Sequence, residues 1–191
     1  EGSAQLLGAM AFCAPKQLST CLPSIVPQLS LVLTDSHVKV QASAKESLEK
    51  IGSVIRNPEI QDIVHKLLAA INQPNVHTNA CLQTLLETAF VHVIDAPSLA
   101  LIMPILERAI TGRSSTSTTK MASQIIGNMY SLTDPKDLAP YLPKVLPGIK
   151  SALIDPEPSV RGIAAKALGS MMKGMGEATF PELVPWLLET L

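Results

Sequence analysis

The chain has 191 residues, of which 47% are hydrophobic and only 3% aromatic, so its core must consist of aliphatic side chains and methionine. Such a composition favours packed helices over strands. Fifteen Lys and Arg against sixteen Asp and Glu give a net charge of -1. This balance excludes the overall basic excess of a typical nucleic-acid-binding protein and leaves only a local basic patch open.

The cysteines and the apolar segments bear on the compartment. Cys13, Cys21 and Cys81 form no CxxC pair, and three thiols leave one unmatched in any disulfide scheme. We therefore expect a reducing compartment and a cytoplasmic location. No stretch reaches the roughly 18 uninterrupted apolar residues of a membrane span, and the first residues do not form a signal peptide. We expect a soluble chain with no membrane partner.

Apolar residues recur with the 3.6-residue spacing of amphipathic helices along the whole chain. In chain order the predicted helices span residues 3–13, 18–33, 37–55, 58–71, 76–93, 97–110, 117–131, 138–154 and 158–175, and a final helix begins near Pro181. Pro58, Pro97 and Pro158 stand at predicted helix starts, where the missing N–H costs nothing. Because the helical pattern is already present at both ends, we expect this chain to be a segment of a longer protein.

The predicted helices form pairs that repeat along the chain. Ala42, Ala80, Ala122 and Ala164 follow the turns of four successive pairs and lie 38, 42 and 42 residues apart. That spacing is close to the roughly 40 to 47 residues of HEAT and armadillo units. The sequence therefore predicts an all-α HEAT-repeat α-solenoid, a superhelical stack of antiparallel helix pairs. As one array, it would comprise a partial unit 1–15, units at about 16–56, 57–95, 96–133 and 134–176, and a partial unit 177–191.

Two local expectations follow from the turns and from the helix predicted at 37–55. The buried stripe of that helix should comprise Val38, Ala42, Ala44, Leu48, Ile51 and Ile55. Glu46 and Lys50 lie outside the stripe with the spacing of an ion pair within a helix. Asp35 and Asp155 precede two second helices and are suited to cap their backbone donors. Such an aspartate could also pair with Lys or Arg of a neighbouring unit, in a ladder along one edge.

Catalytic and metal-binding motifs are scarce. The sequence contains no Gly-rich phosphate loop, no GxSxG elbow and no HExxH motif, and its carboxylates are scattered over predicted solvent faces. We therefore expect no enzyme, no cofactor and no small-molecule substrate. His77 and Cys81, one helical turn apart, supply two ligands where a structural zinc site needs four. A surface histidine beside a buried cysteine is the favoured interpretation.

Three features have both a functional and a structural interpretation. The methionines could form an adaptable partner groove, although their helical spacing favours core filling: Met121, Met129, Met171, Met172 and Met175. Trp186 is equally an interface residue or a residue that packs against a following repeat. The polar segment 113–120 is a phosphorylation or docking loop or, as we favour, a solvated turn.

Basic residues are the predicted partner contacts. Arg113 lies in the polar segment, and five others fall within 134–176: Lys144, Lys150, Arg161, Lys166 and Lys173. These side chains are suited to meet the phosphates of ribosomal RNA. Because acidic residues stand at 137, 155 and 157 among them, a merely solvated face is an equally good interpretation.

Four segments carry a family resemblance. They read FVHVIDAPSLALIMP at 90–104, KMASQIIGNM at 120–129, DLAPYLP at 137–143 and KALG at 166–169. Together they resemble the central HEAT array of the large general-control translational activators and, more distantly, the HEAT domain of fungal elongation factor three. The resemblance is most specific over about 80–191. The hydroxyl-rich loop 111–119 departs from the family pattern.

The resemblance implies a non-catalytic scaffold in the response to amino-acid starvation. Members of this family associate with ribosomes and with an ABC-class ATPase, and they promote phosphorylation of initiation factor two alpha by a stress kinase. The kinase docks further toward the C-terminus of the scaffold, so this segment would help to place the scaffold. Two alternatives remain open: a generic HEAT adaptor for other proteins, and the HEAT domain of a translation ATPase similar to elongation factor three.

Overall fold

The structure, a computed structural model, describes residues 2–112 and 114–190. These residues form helices joined by turns, with no strand among them, which confirms the all-α prediction. The helices are α1 (Gly2–Cys13), α2 (Pro15–Val32), α3 (Val38–Gly52), α4 (Pro58–Asn72), α5 (Pro74–Glu87), α6 (Ala96–Thr111), α7 (Thr116–Leu132), α8 (Pro135–Leu138), α9 (Leu142–Leu153), α10 (Pro158–Met175) and α11 (Leu183–Thr190).

The chain divides within α6 into two compact units, Glu1–Ile105 (unit 1) and Leu106–Leu191 (unit 2). In unit 1, α1 packs along α3, α2 packs against both, and α4 packs against α3 and α5. The α1–α3 contact is close because Gly8 faces Ser47, whose Oγ donates a hydrogen bond of 2.6 Å to the carbonyl oxygen of Ala4. Leucines and isoleucines fill the core, as the composition predicts.

In unit 2, α10 packs against both α7 and α9. Two glycines allow α7 and α10 to approach closely. A Cβ atom at Gly127 would lie 3.0 Å from the Cα of Ala167, and one at Gly174 would overlap the carbonyl oxygen of Tyr130. Any larger side chain at either position must push the two helices apart, since backbone atoms cannot rotate away.

Most predicted helices agree with the structure to within three residues, but two do not. The helix predicted at 76–93 ends at Glu87, because the run that follows is rich in β-branched and aromatic residues that favour extended backbone. The helix predicted at 138–154 is instead α8, a 3-10 turn (Ala139–Tyr141) and α9. Pro140 and Pro143 supply no N–H to a continuous helix there.

The extended segment after α5 is held against the first turn of α4. Glu59 Oε1 accepts hydrogen bonds from the backbone N–H groups of Val91 (3.3 Å) and His92 (3.4 Å) and lies 2.6 Å from His92 Nδ1. The hydrogen bond with His92 lowers the pKa of Glu59. Asn57 caps α4 by accepting from the N–H of Ile60 and donates to the carbonyl of Val93. We call these contacts the Glu59 strap.

The buried stripe predicted for α3 is correct in its second half and wrong in its first. Ala44, Leu48 and Ile51 are fully buried, but Val38 is 76% exposed and Ala42 is exposed as well. Among the described residues, no helix covers the face of α3 that carries Val38 and Ala42, and this face lines a groove.

The repeated alanines therefore do not share one environment. Ala122 and Ala164 are fully buried, whereas Ala42 and Ala80 are exposed. The predicted Glu46–Lys50 ion pair is present, with 2.7 Å between its charged atoms.

Candidate functional site

Helices α7 and α10 carry basic residues and no acidic ones. Lys120 lies on α7, and Arg161, Lys166 and Lys173 lie on α10, whereas neither helix contains Asp or Glu. By contrast, α3 mixes three lysines with two glutamates. The packed α7–α10 pair therefore presents a positive potential that no carboxylate of its own helices neutralises.

Lys166 and Lys173 stand on one exposed stripe of α10, with Gly162 one turn before Lys166 and Gly169 between the two lysines. We call these four residues the lysine stripe. A Cβ atom added at either glycine would meet nothing within 4 Å, so the stripe is open between its lysines. Seven residues separate the two ammonium-bearing side chains by about 10 Å along the helix axis. They are far enough apart to meet different phosphates of one strand.

A shallow groove of about 290 Å³ runs beside the lysine stripe, between α7 and α10. Gln124 and Asn128 of α7 line one side of it, and Lys166 and Ser170 of α10 line the other. Gln124, Asn128 and Ser170 supply amide and hydroxyl groups that donate and accept hydrogen bonds, whereas the ammonium group of Lys166 only donates. The groove can thus contact sugar hydroxyls or base edges next to a phosphate held by a lysine.

Arg161 and Lys120 contact backbone and carboxylate oxygens near the turn that precedes α10. Arg161 Nη1 donates to the carbonyl oxygens of Asp155 and Pro156, each at 2.9 Å. Lys120 Nζ lies 4.0 Å from Glu157 Oε1. The expected aspartate ladder is not seen here: Lys120 approaches Glu157 instead of Asp155, and Arg161 binds the carbonyl groups of its own turn.

The predicted aspartate caps lie two residues before the N-cap residues of their helices. Asp35 and Asp155 each accept the N–H two residues further on, at 2.8 Å, and these donors belong to His37 and Glu157, the N-cap residues themselves. The pKa of Asp35 is lowered by the backbone N–H of His37 and by its side chain. The carboxylates of Asp35 and Asp155 thus bind backbone N–H groups within their own turns. The acidic residues at 155 and 157 stand beside the first turn of α10 and not along the lysine stripe.

The other predicted contacts lie apart from the lysine stripe, on α9. Lys144 Nζ is 3.9 Å from Glu107 Oε2. Lys150 Nζ stands 4.8 Å above the ring of Trp186, a cation–π contact between α9 and α11. Arg113 lies outside the described residues. The sequence grouped these cations by proximity along the chain, and the fold assigns them to different surfaces.

Several of the alternative candidates are buried or take part in a turn. Cys81 is buried, burial raises the pKa of its thiol to about 11, and no cluster of three or more potential ligands that could hold a metal occurs among the described residues. Met129 and Met171 are fully buried in the core. In the polar segment, Ser115 caps α7 by accepting the N–H of Thr118 at 3.2 Å. Across the described helices, none is both long and apolar enough to cross a bilayer.

The paired helices and the periodic turns that join them are those of an α-solenoid of the HEAT class. Comparison with known families is consistent with this class. The family model "Elongation factor 3/GNC1 HEAT repeat" matches residues 77–182, and "EF3 N-terminal HEAT repeat" matches residues 1–48. The chain belongs to the elongation factor 3/GNC1 family of HEAT-repeat proteins, as its sequence segments indicate.

Individual relatives sharpen the placement within this family. The chain is 67% identical over its full length to proteins named "Stalled ribosome sensor GCN1" from Homo sapiens and Mus musculus, and 50% identical to "eIF-2-alpha kinase activator GCN1" from Saccharomyces cerevisiae. It spans about 7% of the length of each of these relatives. "Elongation factor 3" from Phytophthora infestans is 31% identical over 87% of this chain, which covers 16% of that protein.

Proposed function

We propose that this chain is a non-catalytic scaffold segment of a translational activator and that its lysine stripe contacts ribosomal RNA. The observation that carries the proposal is that α7 and α10 contain no Asp or Glu. Lys166 and Lys173 stand on an open stripe of α10, beside a groove lined by amide and hydroxyl groups. The ribosome is the inferred partner because a full-length relative is named as a stalled ribosome sensor. Lysine is suited to the role because its ammonium group binds phosphates as a mobile point charge.

In the whole scaffold, this segment would position other regions on the ribosome. Relatives named as activators of the eIF-2-alpha kinase support a role upstream of that kinase. The stress kinase would dock elsewhere on the scaffold, and an ABC-class ATPase would be a further partner. Such a complex acts in the cytoplasm, where ribosomes and initiation factors meet. The mechanism requires no chemistry from this segment, since an extended helical surface holds a large partner without a deep pocket.

A second candidate is the HEAT domain of a translation ATPase similar to elongation factor three. The 31% identity to such a factor supports this candidate, but the identities of 50% to 67% to the activators favour the first. The same lysine stripe would serve ribosome binding in either protein. A generic HEAT adaptor is not needed to explain the chain, because its family relatives are translation proteins by name.

Co-sedimentation with purified eukaryotic ribosomes across a salt series tests the proposal. The variant Lys166→Glu/Lys173→Glu reverses both lysines of the stripe. The control Lys16→Glu/Lys39→Glu makes the same charge change at exposed lysines of unit 1. We expect the stripe variant to bind more weakly and to reduce the slope of log affinity against log salt by about 0.7 to 0.9 for each lost phosphate contact.

The control variant should keep the affinity and the salt slope of the parent chain. Equal weakening of both double variants would contradict a specific role for the stripe and indicate a general charge effect. Absence of binding by the parent chain at low salt would overturn direct ribosome contact by this segment. Far-UV circular dichroism of each variant checks that its helices are intact.

A further inference from the structure

The groove between α7 and α10, which we call the α7–α10 groove, holds polar side chains that no group of the chain engages. Gln124 and Asn128 of α7 are exposed and line it from one side, and Ser170 of α10 lines it from the other. Within the described part of the chain, none of these three side chains makes a hydrogen bond. By contrast, the amide of Gln61 donates to the carbonyl oxygen of Ile55. The amides and the hydroxyl of the groove are therefore available to a ligand.

These polar groups and the two lysines of the stripe form two rows. On α10, Lys166, Ser170 and Lys173 are four and three residues apart, so they share one face of the helix. On α7, Gln124 and Asn128 are four residues apart and form the row on the other side of the groove. Along α10 the hydroxyl thus lies between two ammonium groups that are about 10 Å apart. A ligand held at both ammonium groups would place the part between its two anions against the hydroxyl and the amides.

The chemistry of this arrangement matches a ribose–phosphate backbone. The inference rests on the proposed function, since it takes the lysine stripe as the part that binds the phosphates of RNA. Between any two phosphates of an RNA strand lies a sugar whose 2′-hydroxyl both donates and accepts hydrogen bonds. Amide and hydroxyl side chains offer the complementary donors and acceptors. A deoxyribose presents no such group, so the polar rows favour RNA over DNA.

The helices that form the site offer no surface on which unpaired bases can stack. The one aromatic residue of α7, Tyr130, is 2% exposed, and α10 contains no aromatic residue. The guanidinium group of Arg161 already donates to the carbonyl oxygens of its own turn. Single-stranded RNA is generally held by stacking of its bases on aromatic rings or guanidinium planes. Paired RNA needs no such surface, because proteins contact its phosphates and 2′-hydroxyls across a wide, shallow minor groove.

We propose that the lysine stripe and the α7–α10 groove bind the minor-groove face of an A-form RNA helix. Lys166 and Lys173 bind phosphates. Gln124, Asn128 and Ser170 form hydrogen bonds with the 2′-hydroxyl groups between them. The site thereby selects RNA over DNA and paired over unpaired RNA, and it does so without reading a base sequence.

Fluorescence anisotropy with the 191-residue chain at low salt tests this proposal. The probe is a fluorescein-labelled RNA hairpin with a stem of about 16 base pairs, the length that a double-stranded-RNA-binding domain spans. Three comparison probes change one property each. They are a DNA hairpin of the same sequence, the same RNA hairpin with 2′-O-methyl groups in its stem, and an unstructured RNA of equal length.

The variant Gln124→Ala/Asn128→Ala removes both amides from the groove and keeps every lysine. The control Gln17→Ala/Gln28→Ala makes a similar change at exposed glutamines of α2 in unit 1. Alanine favours helix at all four positions, and far-UV circular dichroism checks that each variant is folded.

We expect the parent chain to bind the RNA stem about three- to tenfold more tightly than the DNA stem, the factor that one hydrogen bond supplies. The 2′-O-methyl stem and the unstructured RNA should also bind more weakly than the RNA stem. In the groove variant the preference for the RNA stem over the DNA stem should fall toward one, whereas the control should keep it. The slope of log affinity against log salt should not change in the groove variant, because no phosphate contact is lost.

Three results would overturn the proposal: equal affinity for the RNA and DNA stems, tighter binding of the unstructured RNA than of the RNA stem, or an equal loss of preference in both double variants. Co-sedimentation with ribosomes separates this inference from the proposed function. Lysine-dependent ribosome binding without a preference for the RNA stem would remove the inference and retain the proposed function. Preference for the RNA stem without ribosome binding would do the reverse.

Discussion

Helix α3 in unit 1 and helix α7 in unit 2 follow corresponding turns of two repeats but differ in burial. Val38 and Ala42 of α3 are uncovered, whereas Ala122 of α7 is completely buried. The helix partners explain the contrast. The α10 helix has 18 residues and meets α7 at Gly127, while α5 has 14 residues and packs on α4 instead. After α5 the chain is extended and tied down by the Glu59 strap. Close packing of neighbouring helices thus depends on small residues at the contact, Gly127 between α7 and α10 and Gly8 between α1 and α3.

Breaking the closed α7–α10 contact should have the largest effect. Gly127→Leu places a branched side chain where even a Cβ would lie 3.0 Å from the Cα of Ala167. We expect a loss of about 3 kcal/mol in the free energy of unfolding, at the upper end of overpacking costs. Gly169→Leu on the exposed side of α10 is the control and should stabilise the chain slightly through helix propensity. Urea unfolding followed by far-UV circular dichroism measures both, and equal losses would contradict the close contact.

The same substitution at two repeat-related positions compares the closed and open faces directly. Ala122→Leu should lower the free energy of unfolding by about 2 kcal/mol, because Ala122 is fully buried. Ala42→Leu should change it by less than about 0.5 kcal/mol, because Ala42 is exposed. Thermal and urea unfolding of both variants provides the measurement. A large loss for Ala42→Leu would show that α5 closes over α3 in solution.

Glu59→Gln loosens the strap that holds the segment after α5. The pKa of Glu59 is lowered by its hydrogen bond with His92, so its carboxylate stabilises the fold above its ordinary pKa and this contribution is lost as pH falls through the lowered value. We expect the thermal midpoints of the parent and the variant to differ at pH 7 and to converge as the pH falls through the lowered pKa of Glu59.

Amide hydrogen exchange gives the local measurement for the strap. The N–H groups of Val91 and His92 should exchange faster in Glu59→Gln, because Glu59 Oε1 is their acceptor. Amides in the middle of α10, far along the chain in unit 2, serve as the internal control. Parallel midpoints from pH 3 to pH 7 would contradict a role for the ionised carboxylate.

Tyr130→Phe should have the smallest effect although the side chain is deeply buried in unit 2. Burial raises the pKa of Tyr130, and its hydroxyl has no hydrogen-bond partner among the described residues. Removing an unsatisfied hydroxyl costs little or stabilises. We expect a change within about 0.5 kcal/mol in urea unfolding. A loss of 2 kcal/mol or more would indicate a hydrogen bond that holds α7.

The sequence predicted the helices better than their faces. Period and proline placement located α1, α4, α7 and α10 closely, because apolar spacing and missing N–H groups act locally. The end of α5 at Glu87 was missed because the apolar pattern continues while β-branched residues turn the backbone extended. The exposure of Ala42 depends on the distance between α3 and α5, which no local pattern encodes.

The candidate site was predicted in part. Lys166 and Lys173 are seven residues apart, and their shared stripe follows from helix geometry alone. The separation of Lys144 and Lys150 from that stripe depends on tertiary contacts with Glu107 and Trp186. One usable signal was overlooked: α7 and α10 contain no acidic residue, and counting charge by predicted helix rather than by repeat would have found it.

The distribution of fluorophores makes the two units optically unequal. The single tryptophan and both tyrosines belong to unit 2: Trp186, Tyr130 and Tyr141. Fluorescence excited in the tryptophan and tyrosine absorption bands therefore contains no signal from unit 1. Trp186 itself sits on α11 beside Lys150 and reports on the last helix before any other element. A denaturation curve from fluorescence and one from far-UV circular dichroism will therefore superimpose only when the two units unfold together, which makes the pair of curves a direct assay of cooperativity along the array.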